Sequence, residues 1–148
     1  MAELTLLYDG GCPLCVREVR WLGSRDGALH GEEPRLAFVD IDQPGYDPAA
    51  HAGVTYRQAM GRIHAIAADG SVLQDLAVFR AAYRLIGLGW LYAPTGWPLL
   101  GPLAEALYRL WAERRLWLTR RPDLDTLCRC RSAAGACLAA AEPLRSGG

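Results

Sequence analysis

Apolar positions are grouped along the chain in short runs separated by turn residues. Leu4–Tyr8 is an apolar, β-leaning run that predicts a strand. Asp9-Gly10-Gly11 is turn chemistry. A helix opens at Cys12 and Pro13, because proline's missing N–H would be unpaired there and its φ is already helical. Leu14, Cys15, Val19 and Leu22 form its expected inner face. It is expected to run to Gly23, with Arg25–Pro34 as a loop. Arg35–Ile41 predicts a second strand, and a short helix is expected near Pro48–Ala52 in a Pro/Gly-rich stretch. Arg62–Ala67 predicts a third strand and Val72–Leu73 a fourth, joined by a hairpin turn at Asp69-Gly70. Leu76–Ile86 has helical spacing, with Leu76, Phe79, Tyr83 and Ile86 on one face and Gly87 and Gly89 as stops. Pro102–Thr119 predicts another amphipathic helix through Leu103, Leu107, Leu110, Trp111 and Leu118.

This order predicts an α/β fold. A strand, helix and strand at this spacing make a right-handed parallel unit, and the hairpin adds antiparallel pairing. The expected sheet is mixed and four-stranded, with helices on both faces and an extra C-terminal helix. Residues 1–121 are expected to form the domain, and 122–148 a loosely attached tail ending Ser-Gly-Gly. The 148 residues suit one core. A hydrophobic content of 51% against 22% charged excludes disorder as the main state.

The formal net charge is zero, which leaves no electrostatic footprint for nucleic acid. The charge is uneven, however: residues 1–78 hold 11 acids and 6 arginines, residues 79–148 hold 5 acids and 10 arginines. That split reads as two faces of one domain, or as a basic region that meets an acidic partner or anionic membrane. Residues 85–104 carry no charge, but Pro94, Pro98, Pro102 and four glycines prevent one unbroken spanning helix. The ordinary reading is a buried connector. The sharper reading is a surface patch for a membrane or protein contact, with Trp90, Trp97, Trp111 and Trp117 nearby. The N-terminus lacks a basic region and a signal-length apolar run, so a cytoplasmic location is expected.

The chemistry sits in Asp9-Gly10-Gly11-Cys12-Pro13-Leu14-Cys15, between the first strand and the first helix. At the start of a helix, unpaired N–H groups and the helix dipole stabilise an anion. A thiolate is such an anion, so Cys12 is the expected nucleophile with a lowered pKa. Cys15 lies one turn on, on the same side, poised to resolve a mixed disulfide at Cys12. Asp9 either bonds back to the glycine turn or accepts a proton near the pair. Arg17 is read as a solvated helix residue. The remaining cysteines are Cys128, Cys130 and Cys137. Zinc usually takes four ligands from two paired motifs, and a distant Cys-x-Cys is unusual for that.

These residues resemble the DCC family of thiol–disulfide oxidoreductases, named for an aspartate followed by two cysteines, here Asp9, Cys12 and Cys15. Two looser segments extend the resemblance over roughly residues 4–118. One is Met60-Gly61-Arg62-Ile63-His64 running into Asp69-Gly70. The other is Tyr108–Arg115, where Arg114 stands in place of a more usual Asn. The resemblance implies a thioredoxin-like fold. Cys-Pro-x-Cys is also similar to glutaredoxins. Thioredoxins place a cis-proline opposite the pair, but Gln58-Ala59-Met60-Gly61 contains no proline, and Met60 is expected to fill that space. Pro13, Met60 and Gly61 are thus the candidate substrate-binding residues.

The sequence reading is a thiol–disulfide oxidoreductase that exchanges with protein or small-molecule thiols and disulfides. It needs no organic cofactor and no metal, since the dithiol is the redox group. Two alternatives remain. One is a zinc- or copper-binding protein that joins Cys12 and Cys15 to the tail cysteines. The other is a non-catalytic module that docks through its Trp-rich C-terminal half. His30, His51 and His64 are scattered, and His64 reads as a packed strand residue.

Overall fold

The computed structural model describes residues 2–120 and 122–132. Strands β1 (Leu4–Tyr8), β2 (Leu36–Asp40), β3 (His64–Ala67) and β4 (Val72–Gln74) form one sheet in the order β2-β1-β3-β4. β1 runs parallel to β2 with Leu6 opposite Phe38, and antiparallel to β3 with Leu6 opposite Ala65. β4 closes against β3 in antiparallel register. The helices are α1 (Pro13–His30), α2 (Tyr56–Gly61), α3 (Leu76–Leu85), α4 (Gly89–Tyr92), α5 (Gly101–Leu118) and α6 (Leu124–Ser132). This is an α/β, thioredoxin-like arrangement with a mixed four-stranded sheet and an extra C-terminal helix.

The alternation of β1 explains why helices lie on both faces. Successive side chains of a strand point to opposite sides. Leu4 and Leu6 enter one core with Leu22, Val78, Ala82 and Ile86. Leu7 enters a second with Ile41, Val54, Met60 and Leu127. α6 belongs to this second core through Leu124 and Leu127. The segment expected as a tail therefore packs on the domain through Leu124 and Leu127, while residues 133–148 lie outside the described residues.

Three further features depart from the sequence reading. α1 continues past Gly23 to His30, through the residues expected as a loop. Asp26 is the reason: its buried carboxylate accepts from the N–H groups of Arg35 (3.2 Å) and Leu36 (2.9 Å), tying the helix to the start of β2. Gly23 permits that approach, since a Cβ there would stand 3.3 Å from the Phe38 ring. α2 was not anticipated. Thr55 and Gln58 form a capping box in which each side chain accepts from the other's backbone N–H, at 3.2 and 2.8 Å.

The third departure is the uncharged stretch 85–104. It is not a buried connector. Trp90, Trp97 and Leu99 are exposed, Leu99 by 89%. α4 is only one turn long, so it buries little besides Tyr92, which stacks on Phe79. α5 shows the same inversion. Leu103, Leu107, Leu110, Trp111 and Leu118, the apolar positions of the expected amphipathic helix, are all exposed. The inner face is instead Ala104, Tyr108, Ala112 and Arg115, spaced at helical intervals.

Asp26 supplies a test of the packing. Burial would raise its pKa, but the Leu36 amide, the His30 ring and the Arg35 amide outweigh burial and hold it below the usual carboxylate value. A depressed folded pKa means stabilisation that is present above the unfolded value and lost as pH falls through the folded one. Asp26→Asn should cost about 1–3 kcal/mol at neutral pH by losing one acceptor. Urea melts of both proteins at neutral and acid pH should show that gap narrowing in acid.

Candidate active site

The site is built where β1 ends and α1 begins. Asp9 is 1% exposed, and its Oδ1 accepts from the Gly11 N–H at 2.9 Å, an Asx-type turn. The Cys12 N–H donates to the Asp9 carbonyl at 3.1 Å. Gly10 donates its N–H to Asp40 Oδ1 at 2.8 Å, which pins the turn to the end of β2. A Cβ on Gly10 would meet that carboxylate at 1.9 Å, so only glycine passes there without displacing it.

Cys12 is the N-cap of α1, and its Sγ accepts from the Cys15 N–H at 3.4 Å. Both thiols are free. A hydrogen bond from the Cys15 side chain lowers the Cys12 thiol most. Burial opposes it, the Cys15 amide and the Arg115 charge add to the lowering, and Asp9 raises it. The result is a pKa lowered to about 6. Cys15 moves the other way. The bond it donates to Cys12 and its burial push its thiol far up, against Arg115. At neutral pH the pair is therefore a Cys12 thiolate with a Cys15 proton beside it.

Arg115 is the residue that the sequence reading did not place in the site. It is 6% exposed and comes from α5, 100 residues from Cys15. Nη1 donates to Cys15 Sγ at 3.2 Å and Nη2 to the Met60 carbonyl at 2.6 Å. A buried guanidinium needs partners of this kind, since an uncompensated buried charge is costly. A signal was present, because Arg115 closes the Tyr108–Arg115 segment that carried the family resemblance.

The expected substrate-binding residues fall in different places. Pro13 is exposed at the first turn of α1. The Met60 side chain has no exposed surface and packs in the second core, so it joins the site only through its carbonyl. A Cβ on Gly61 would approach Leu124 of α6 at 3.4 Å. No peptide bond is cis among the described residues.

Accessibility separates the two cysteines. Cys12 is 0% exposed, whereas Cys15 lines a half-open cavity between α1, the sheet, α3 and α5. Among the described residues no three His, Cys, Asp or Glu side chains come within metal-binding reach of one another. The side chains of Cys130 and Cys137 lie outside the described residues. His30 pairs with Asp26, His51 with the Asp47 carbonyl, and His64 with the Arg62 carbonyl.

A mixed sheet with a Cys-x-x-Cys pair capping its first helix defines a thioredoxin-like domain. The chain belongs to the DCC1-like thiol-disulfide oxidoreductase family, whose pattern matches residues 6–121. It is also 41% identical over 129 residues to an uncharacterised chloroplastic protein of Arabidopsis thaliana. That match covers 87% of this chain and 58% of the relative, so the chain spans little more than half the relative's length. No solved structure matches.

The electrostatics predict a pH profile. Iodoacetamide alkylation of Cys12, followed by peptide mass, should rise with a midpoint near 6. Arg115→Met should move that midpoint upward, because a cation that favours the thiolate is removed. An unmoved midpoint in a folded variant would show that Arg115 does not set the thiolate.

Proposed function

We propose that the protein is a thiol–disulfide oxidoreductase in which Cys12 attacks and Cys15 resolves. The observation that carries this reading is the N-cap position of Cys12 with the Cys15 N–H on its sulfur. The Cys12 thiolate attacks one sulfur of a substrate disulfide. The S–S bond breaks, one substrate thiolate leaves, and a mixed disulfide remains on Cys12. Cys15 then gives up its proton and attacks the Cys12 sulfur. The second substrate thiolate leaves, and the protein holds a Cys12–Cys15 disulfide. The substrate gains two electrons and the dithiol loses two.

Arg115 supports both steps. Its charge favours the starting thiolate at Cys12. Its Nη1 stands at Cys15 Sγ, where the second thiolate develops. Asp9 shapes the turn through Gly11 and adds the one opposing charge beside Cys12. Cys12 has no exposed surface, so its attack on a disulfide needs the site to open locally. Substrates are thiols and disulfides. A reducing compartment such as the cytoplasm keeps the pair ready to act.

A second reading, compatible with the first, concerns the C-terminal half. α4, α5 and the segment between them expose Trp90, Trp97, Leu103, Leu110, Trp117 and Leu118 on one stretch of chain. Of the six arginines and two acids in residues 76–120, Arg115 is buried in the site and Arg80 pairs with Glu105, which leaves Arg84, Arg109, Arg114 and Arg120 exposed against Glu113. An apolar face with tryptophans and excess arginine suits the surface of an anionic bilayer. No helix of the described residues is long and apolar enough to cross a membrane.

Two measurements test these readings. In glutathione redox buffers the wild-type chain should show a two-electron couple confined to Cys12 and Cys15. Cys12→Ser should abolish disulfide reductase activity, and Cys15→Ser should accumulate a mixed disulfide. Loss of the couple from the pair would end the redox reading. In flotation with phosphatidylglycerol-containing vesicles the protein should rise with the lipid. Leu103→Glu with Leu110→Glu should leave it at the bottom, and wild-type protein that does not float would rule the surface reading out.

A further inference from the structure

The cavity beside Cys15 has a volume of about 930 Å³, within the range of small-molecule sites. Part of its wall is a continuous series of rings, and most of the rest is aliphatic, as at Leu14, Leu22 and Leu107. Trp21 meets Tyr83 at 5.7 Å between centroids, and Tyr83 meets Tyr92 at 4.6 Å. Phe79 lies 5.8 Å from Tyr92 and 5.9 Å from Tyr108, and Tyr108 lies 5.8 Å from Trp111. All six rings line the cavity together with Cys15 and Arg115.

The polar part of the wall is balanced. Asp9 and Glu18 face Arg17 and Arg115 around it. Glu18 accepts from the Tyr83 hydroxyl at 2.7 Å, so that hydroxyl is already satisfied. A wall of rings with no net charge selects an occupant by apolar area and stacking rather than by charge. Cys12 is not part of the lining, and Cys15 is the sulfur the cavity reaches.

We propose that this cavity binds the uncharged aromatic body of a small thiol or disulfide and presents its sulfur to Cys15. The site rests on the redox reading and adds an order of its own for small ligands: one sulfur of the bound disulfide bonds first to Cys15, the sulfur the cavity reaches, its other half leaves as a thiol, and the Cys12 thiolate then displaces the ligand from Cys15. The rings supply offset or edge contacts to the ligand, and Arg115 stands at the end where the sulfur chemistry occurs. A small aromatic disulfide should therefore react faster with Cys15 than its intrinsic reactivity predicts.

The test uses the full chain carrying Cys12→Ser, which cannot cycle, with Cys128, Cys130 and Cys137 also changed to Ser, so that Cys15 is the one thiol left to react. Cys15 loses its proton to solvent and bonds to one sulfur of dithiodipyridine. The pyridyl disulfide bond breaks, and the other half leaves as thiopyridone, which is read by absorbance. Cys15 is oxidised and the reagent is reduced. The exchange with hydroxyethyl disulfide, which is small, lacks a ring and releases mercaptoethanol, is followed by the mass of the Cys15 adduct, and both reactions are repeated with free cysteine as the reference thiol.

The ratio of the two rate constants should exceed that of free cysteine by about tenfold, the effect of roughly one ring's burial, and the aromatic reaction should saturate. Ala104→Trp, which places a ring in the cavity, should return the ratio to the free-cysteine value. Leu107→Trp, at an exposed position on the cavity wall, gives a second filling variant should the first not fold. A ratio equal to that of free cysteine without filling, or one unchanged in a folded filled variant, overturns the proposal. A normal ratio alongside an intact two-electron couple in the wild-type chain would reject the cavity and leave the oxidoreductase standing.

Discussion

A buried positive charge organises this molecule. The Arg115 guanidinium reaches from α5 to Cys15 Sγ on α1 and to the Met60 carbonyl at the end of α2. Three elements far apart in sequence are thereby held to one group. A guanidinium out of water is tolerated only where fixed acceptors meet it. The thiol pair supplies one acceptor and a backbone carbonyl the other. The electrostatic field that holds Cys12 as a thiolate thus comes from the packing of the fold as well as from the helix start.

That requirement also explains the unusual outer surface. A helix has one inner face. In α5, Tyr108, Ala112 and Arg115 occupy it, and the Tyr108 hydroxyl accepts from the Ile63 N–H at 3.3 Å. The leucines and tryptophans of the same helix are turned outward, with Trp117 80% exposed. Part of that apolar surface, Leu107 and Trp111, borders the cavity that leads to Cys15. Site, cavity and apolar face are therefore consequences of one helix orientation.

Much of the fold was legible because it is local. The apolar, β-leaning run of β1, the Asp-Gly-Gly turn and Pro13 specify a strand, a turn and a helix start within a dozen residues. The hairpin at Asp69-Gly70 is equally local, with Gly70 at positive φ. α2 was legible in principle, since Thr55 and Gln58 carry the capping-box spacing, but Pro/Gly-rich surroundings hid it. The end of α1 was not legible, because Gly23 and Gly27 look like stops. Asp26 overrides them only by reaching backbone N–H groups nine and ten residues away.

The sequence by itself determined the strand order's raw material, the Cys12–Cys15 pair and its place at a helix start. Each of these depends on neighbours within one or two turns of chain. Only the tertiary structure decided that Arg115 stands against Cys15, that Met60 offers its carbonyl and not its side chain, and that the apolar stripe of α5 faces outward. It also decided that Cys15, not Cys12, borders the open cavity. An apolar stripe shows that a helix is two-sided, but not which side turns inward. That choice follows from which buried polar groups must find partners, and those partners lie up to 100 residues away.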